Sequence, residues 1–499
     1  MISRRDVLKI SSLSPLLLMR PEISVQGDQP NVLVIVFDTF TARNMSLYGY
    51  QRHTTPEIAR FAEKATVYHQ HYAGGNYTSP GTAALLTGVY PWSHRSLQLY
   101  GTVVPPYDQQ NLFSAFPGHY RAAFSRNPLA TVLLHQLSKN IEEFHLHTEA
   151  LLLDSEFFDE IFRRDYYLAG KAERDILKPY GQEPTSLFFE LFFTSIKNRL
   201  QKENAEKLKE EYPLGLNQNG SIQFVLEDTI TWMMGQITAL PRPFLGYYHL
   251  LPPHSPYSPR REFWGRFQDG WVPPSRPRHP LSFSRDDEQL RRFRVNYDNY
   301  AANVDAEFGR LMRFLEAEGY LENTWVVMTS DHGEMFERGI WGHLTATLFE
   351  PILRIPLLIH APGQTIRQDV DTPTSAVDVL PTLMHVTGQG FPAWTEGMVL
   401  PPFNRDYDYD RAVFSMEAKT NPKHGPLERY TAAMVRGKQK LIYYRGYPQI
   451  DDEYELYDLA VDSGEEQDVS SSGREYTAAA DLMAEELKAK LAEKNKPYQ

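Results

Sequence analysis

Asn31-Val32-Leu33-Val34-Ile35-Val36-Phe37, closed by Asp38, is the stretch that decides the fold. From Val32 to Phe37 every side chain is apolar, and β-branched residues dominate. A strand without polar alternation has no solvent face, so this one reads as a central strand of a parallel sheet, buried on both sides. Asp38 then stands at the carboxyl end of that strand, where open α/β sheets place their ligands.

The same pattern recurs along the chain. Phe244 to His249 is a second apolar strand, and it runs into Leu250-Leu251-Pro252-Pro253-His254-Ser255-Pro256-Tyr257. Trp325 to Thr329 is a third, followed at its carboxyl end by Ser330-Asp331-His332-Gly333-Glu334, and Ile355 to His360 is a fourth. Helical signals lie between them. Thr54-Thr55-Pro56-Glu57 combines a cap residue, a first-turn proline and an acid. Thr78-Ser79-Pro80 leads an apolar run that Gly88 stops, which puts Thr78 just before a helix N-terminus. Tyr297, Tyr300, Val304, Phe308, Leu311 and Leu315 recur at steps of three and four, predicting a long amphipathic helix that ends at Gly319. Ser375 to Val386 reads as a helix that starts late or kinks at Pro381. The alternation predicts an α/β fold: a doubly wound, mostly parallel sheet flanked by helices.

Around this core three further parts are expected. Residues 1–27 open with Arg4-Arg5 ahead of a short apolar run, which reads as a twin-arginine export signal and predicts a protein placed outside the cytoplasmic membrane. That run is too short to cross a bilayer, which takes ~20 residues. Residues 28–410 form the α/β domain, with a helical insertion at about 111–223 that carries no recognisable chemistry. Residues 411–499 change character: Tyr430 to Tyr444 alternates, Tyr454 to Leu459 is strand-like, and Ala478 to Glu493 is helical. They predict a small C-terminal antiparallel sheet with a closing helix.

Composition narrows the chemistry. The 499 residues are 42% hydrophobic and 23% charged, which excludes collagen-like, disordered and multi-span membrane classes. A net charge of −12 argues against a nucleic-acid backbone as partner. The chain has no cysteine, so a metal must be held by oxygen and imidazole and a nucleophile must be Ser, Thr, Lys, His or carboxylate. Asp38, Thr78 and the pair Asp331-His332 come from ends that a parallel sheet gathers on one edge. They suit one divalent cation, with Zn, Mn, Mg and Ca all compatible. Such an ion, together with a helix N-terminus, would lower the pKa of the Thr78 hydroxyl. Glu334 and Glu337 read as solvated helix charges, and His94 as a structural histidine.

The ordered set of motifs resembles the sulfatase family of the alkaline-phosphatase superfamily. It comprises Asp38-Thr39, Leu47-Tyr48-Gly49-Tyr50, Thr54-Thr55-Pro56, Thr78-Ser79-Pro80 with Leu85-Leu86-Thr87-Gly88 and Tyr90-Pro91. It continues in His254-Ser255-Pro256-Tyr257, Ser330 to Glu334, Arg354-Ile355-Pro356-Leu357, Asp378 to Thr382 and Leu456 to Leu459. The resemblance implies metal ligation by Asp38, Thr78, Asp331 and His332, with His254 and His343 as substrate-contacting or acid/base residues. It also exposes departures. Sulfatases carry a Cys or Ser, oxidised to formylglycine, in the pattern Cys/Ser-x-Pro-x-Arg; here those positions are Thr78 and Thr82, and a second acid after the first metal Asp is replaced by Thr39. A threonine at this position resembles the phosphotransferases and nucleotide pyrophosphatases of the superfamily, which attack phosphorus. The leading expectation is therefore a metal-dependent hydrolase or transferase acting on phosphate (di)esters through Thr78. The alternatives are a sulfuric ester hydrolase without formylglycine and a non-catalytic binder of an anionic glycan or lipid headgroup.

Overall fold

A computed structural model describes residues 29–145, 199, 202–203, 205–219, 222–282 and 285–498. The export signal expected in 1–27 lies outside these residues. At the centre is an eight-stranded sheet in the order Gln368–Val370, Thr66–Tyr68, Leu357–His360, Thr324–Thr329, Asn31–Phe37, Phe244–Leu250, Tyr120–Ser125 and Glu143–His145. Neighbouring strands run parallel except Leu357–His360, which is antiparallel to both of its partners.

The opening strand shows why the sheet is buried twice. Leu33, Ile35 and Phe37 join one core with the Leu226–Ala239 and Asp287–Ala317 helices. Val32, Val34 and Val36 point the other way into a core built with the Thr78–Thr87, Pro128–Leu137 and Val379–Val386 helices. With a side-chain period of two, one apolar strand serves both layers. At the opening of the Pro56–Ala62 helix the threonine cap is not used: the Asp305 carboxylate, reaching across from the long helix, accepts the Glu57 and Ile58 amides at 2.9 and 2.8 Å.

Within the stretch from about 111 to 223, expected to be part sheet-and-helix core and part helical insertion, Tyr120–Ser125 and Glu143–His145 are strands of the main sheet, joined by the Pro128–Leu137 helix. The two strands are short and partly polar at their edges, which hides them among helical signals. The central part of that stretch, residues 146–198, lies outside the described residues.

The C-terminal part is an antiparallel meander, Val413–Glu417, Tyr430–Arg436, Gln439–Arg445 and Glu453–Asp458, closed by the Arg474–Asn495 helix. Alternate residues face two covers. Met416, Ala432, Met434 and Leu441 pack with Met483, Ala484 and Leu487 of the closing helix. Val413, Val435, Ile442 and Tyr444 pack with Tyr72, Phe349 and Ile352 of the main layer. Fully buried Lys440 ties the two sheets together through Glu350 at 3.0 Å and Glu465 at 2.7 Å.

Register decides where the chemistry falls. Val36 pairs with His249 on one side and Thr329 on the other, and Ser125 also pairs with His249. Four strands thus end flush, and the residues just beyond them share one rim. The Thr78–Thr87 helix seats on this rim at Gly81, where a Cβ would collide with the Asp331 carbonyl oxygen. Gly81→Ala must therefore push the helix off the Asp331 loop. We expect a loss of about 1–3 kcal/mol in urea unfolding, as overpacking costs, and a lower cation affinity in the same protein.

Candidate functional site

Asp38 and Asp331 face each other across the rim, both with fully buried side chains. Each loop is locked by hydrogen bonds. The Phe40 amide donates to Ser330 Oγ at 2.9 Å, and Ser330 Oγ donates to the His332 carbonyl at 2.6 Å. The His332 amide donates to Asp331 Oδ1 at 3.0 Å. Thr39, a β-branched residue held at φ 61°, bends the chain sharply after Asp38. That left-handed conformation costs of order 1–2 kcal/mol. It is held by Tyr297 of the long helix, whose hydroxyl donates to the Thr39 carbonyl at 2.8 Å and accepts the Thr41 amide at 3.1 Å.

Thr78 is the first residue of its helix, with Tyr77 as the extended cap. Its hydroxyl lies 3.0 Å from Asn127 Nδ2 and 3.5 Å from His332 Nε2. Asn127 follows the Tyr120–Ser125 strand and serves three partners. Its side-chain oxygen accepts the Leu129 amide at 2.7 Å, capping the next helix. That fixes the amide orientation, so Nδ2 donates to both Thr78 and Asp38.

Four histidines surround this centre. His249 Nε2 is 3.6 Å from an oxygen of each carboxylate, and His332 Nε2 is 3.5 Å from an oxygen of each. His343 packs against His332 with ring centroids 4.4 Å apart, and His254 packs against His343 at 5.1 Å. Each ring has its Nδ1 engaged. His332 and His254 lie 3.0 and 2.6 Å from the carbonyls of Gly333 and Ser255; His249 lies 3.3 Å from the Tyr247 hydroxyl and His343 3.3 Å from Glu334. A carbonyl only accepts, so His332 and His254 carry the proton on Nδ1 and present a bare Nε2 when neutral.

The sequence-predicted residues Asp38, Thr78, Asp331 and His332 are thus brought together, and His343 and His254 line up beside His332. Two residues were missed. His249 stands near the carboxyl end of an apolar strand, where a histidine reads like any core residue until the carboxylates opposite it are placed. Asn127 looks like a plain Asn-Pro helix cap, and only the sheet order brings it to Thr78. Glu334 departs from expectation as well: it is buried against His343, ahead of a Met335–Gly342 hairpin instead of on a solvated helix.

Burial alone would raise the pKa of Asp38, but His249, His254 and His332 outweigh it and hold the group well below the usual carboxylate range. Asp331 goes the other way, pushed up by burial and by the charge of Asp38. Burial disfavours charge on His249, but the two carboxylates reverse this and raise it; burial prevails at His332 and lowers it. The donor chemistry fits a divalent cation. Asp38, His249 and Asp331 each offer a ligand atom within 4.8 Å of the others. Asp38 Oδ1, Asp331 Oδ2 and His249 Nε2 are all buried without a hydrogen-bond partner. Buried acceptors facing inward onto one point are what an ion would satisfy.

The fold, the rim and these ligand types define a hydrolase of the alkaline-phosphatase superfamily kind. The family model described as Sulfatase matches residues 30–389, and that described as N-sulphoglucosamine sulphohydrolase, C-terminal, matches residues 339–496. The chain belongs to the sulfatase family. It is 31% identical over 254 residues to the choline-sulfatase of Rhizobium meliloti (strain 1021), covering 46% of this chain and 47% of that protein. It is 24% identical over 434 residues to the multifunctional alkaline phosphatase superfamily protein PehA of Trinickia caryophylli, covering 75% and 76%. The match thus spans about half the length of the first of these relatives and three quarters of the second. In fold it is similar to the phosphonate monoester hydrolase of Agrobacterium radiobacter, with a TM-score of 0.65 at 20% identity over 93% of this chain and 96% of that one.

The carboxylate pair makes a signed prediction. Asp331 has a raised folded-state pKa, so its ionised form destabilises the metal-free protein, increasingly as pH rises from the unfolded value through the folded one. Asp331→Asn should therefore make the metal-free protein more stable at pH 7 than wild type in urea unfolding. It should also abolish the gain from added divalent ion, which in wild type reaches about 2.7 kcal/mol at a hundred times Kd.

Proposed function

We propose that this chain is a metal-dependent hydrolase or transferase of phosphate or phosphonate esters that uses Thr78 as its nucleophile. The observation that carries the reading is the placement of the Thr78 hydroxyl, 3.0 Å from the Asn127 amide and 3.5 Å from His332 on the rim of paired carboxylates. Asp38, Asp331, His332 and Thr78 would hold one divalent cation. Bound there, the ion lowers the pKa of the hydroxyl and offsets charge that develops on the ester oxygens.

The chain's own residues supply the rest. Asn127 donates to Thr78 Oγ1 and so favours the deprotonated oxygen. The helix N-terminus adds its partial positive charge, worth ~0.3–1 kcal/mol at an exposed terminus. The Thr78 hydroxyl gives up its proton to solvent, its oxygen attacks phosphorus, an O–P bond forms, and the bond to the leaving oxygen breaks. His343 or His254 delivers a proton to that oxygen, a step worth ~10²–10⁴ in rate. Water or an acceptor alcohol then displaces Thr78 and frees the hydroxyl. Glu334, 3.3 Å from His343 Nδ1, orients that ring toward His332.

A sulfate ester is the second reading. It is favoured by the sulphohydrolase match over residues 339–496. Against it stand Thr78, which cannot be oxidised to formylglycine, and Thr82 in place of the motif arginine. We also propose export by the Arg4-Arg5 segment, which replacement of both arginines by lysine tests through secretion of the full chain.

Nitrophenyl phosphate, phenylphosphonate and sulfate esters assayed in parallel separate the two readings. We expect a burst with a phosphate diester, phosphate on Thr78 by mass spectrometry, and a fall of at least ~10³ in kcat for Thr78→Ala, on the scale of other nucleophile deletions. Modification elsewhere, or full activity in Thr78→Ala, refutes the nucleophile. Glu334→Gln should lower kcat by ~10–100-fold for alkyl leaving groups, with little change for nitrophenol, because only the poor leaving group needs the oriented acid.

A further inference from the structure

We propose that Asn76 is a positioning residue: it clips the His343 loop to the lead-in of Thr78 and so sets the distance at which His343 meets the leaving oxygen. The inference rests on the Thr78 reading above and deepens it, by assigning the proton donor to His343 and naming what holds it there.

The clip is a single amide. Asn76 is fully buried two residues before Thr78, and its Nδ2 donates to the His343 carbonyl at 2.9 Å and to the Thr345 carbonyl at 2.8 Å. Both partners can only accept, so the nitrogen must face them and the amide orientation is settled. The two bonds bracket Leu344, whose side chain is exposed. The main chain of His343 is thus fixed to the segment that carries the nucleophile, from 267 residues away in sequence. Two other contacts hold this loop. Thr431 Oγ1 donates to the Ala346 carbonyl at 2.6 Å, which ties the loop to the C-terminal meander. Glu334 lies 3.3 Å from His343 Nδ1 and turns the ring. Neither contact involves the Thr78 segment. Glu334 sets the rotation of the ring, and Asn76 sets its distance from the nucleophile.

The geometry at the site shows what that distance serves. Thr78 Oγ1 lies 3.5 Å from His332 Nε2, and the His332 and His343 ring centroids stand 4.4 Å apart. The proton moves from His343 Nε2 to the leaving oxygen as the oxygen–phosphorus bond breaks, and His343 regains a proton from solvent. A misplacement of ~1 Å can cost ~10²-fold in rate, so an acid carried on a loop needs a fixed reference to the attacking oxygen. The other end of the amide argues against a role in stability alone. Asn76 Oδ1 is buried without a hydrogen-bond partner among the described residues. An orphaned acceptor costs free energy and offsets what the two bonds contribute.

The rival account makes Asn76 a loop-closing residue whose loss weakens the site as a whole. Leaving groups separate the two, in the full chain with its divalent ion. We expect Asn76→Ala to lower kcat for an alkyl phosphate diester by ~10–100-fold, with bis-nitrophenyl phosphate changed less than ~3-fold and KM little altered for either. In the His343→Gln background the same substitution should cost the alkyl ester less than ~3-fold, because its effect runs through His343. Equal losses for both esters, or full additivity with His343→Gln, overturn the proposal. Wild type soaked with orthovanadate gives a second test that needs no variant to fold. Its crystal structure should place His343 Nε2 within ~2.6–3.2 Å of the vanadate oxygen opposite Thr78, with both Asn76 bonds intact. His343 out of reach, or the bonds broken, overturns the proposal. Vanadate bound away from Thr78 refutes the nucleophile and this inference with it. Full activity in Thr78→Ala, with the leaving-group difference and the coupling to His343 both kept, refutes the nucleophile alone.

Discussion

Two carboxylates that face each other in a dry interior repel strongly, and the arrangement around Asp38 and Asp331 is the response to that repulsion. Neither side chain has access to water. Like charges so placed cannot both stay ionised without compensation, which is why one is driven down and the other up. Nearby features answer it: the His249 imidazole, raised toward its charged form, at 3.6 Å, the Asn127 amide, and the N-terminus of the Thr78–Thr87 helix. The oxygens left without partners mark where a cation completes the balance.

Holding that arrangement requires a stiff frame. The flush ends of the Asn31–Phe37, Phe244–Leu250, Thr324–Thr329 and Tyr120–Ser125 strands supply it, because register in a doubly buried parallel sheet is fixed by two cores at once. Strain at Thr39 and the close approach at Gly81 are then affordable, since the long helix and the Asp331 loop over-determine the positions. The C-terminal meander adds a second wall and is joined to the first through a buried lysine and two glutamates. A buried pair of this kind contributes less to net stability than to fixing which surfaces meet, and breaking one partner costs far more than the pair gains.

What separates this chain from a formylglycine sulfatase is local. The frame is that of the family, and in the motif that the sequence resembles, Thr78 and Thr82 stand where the oxidisable residue and the arginine are expected. The histidine row beyond it runs from buried His332 through His343 to half-buried His254, with Glu334 anchoring the middle ring.

The sequence by itself determined the α/β architecture, because an unbroken apolar strand and a helix with a repeat near 3.6 leave few other solutions. It also determined Asp38, Thr78, Asp331 and His332 as partners, since each lies at a strand end or helix start, where a parallel sheet must collect them. It showed the small C-terminal sheet through the alternation after Tyr430. The bounds of the two sheet strands inside residues 111–223 were not legible, both being short, and neither were the roles of Asn127, His249 and Glu334. An Asn before a proline looks like any cap, a histidine in a strand like any core residue, and a glutamate after Gly333 like any surface charge. Only the tertiary structure decided those three, because their function comes from what stands opposite them across strands and loops distant in sequence, and pairing across a sheet is set by register, which no local pattern encodes.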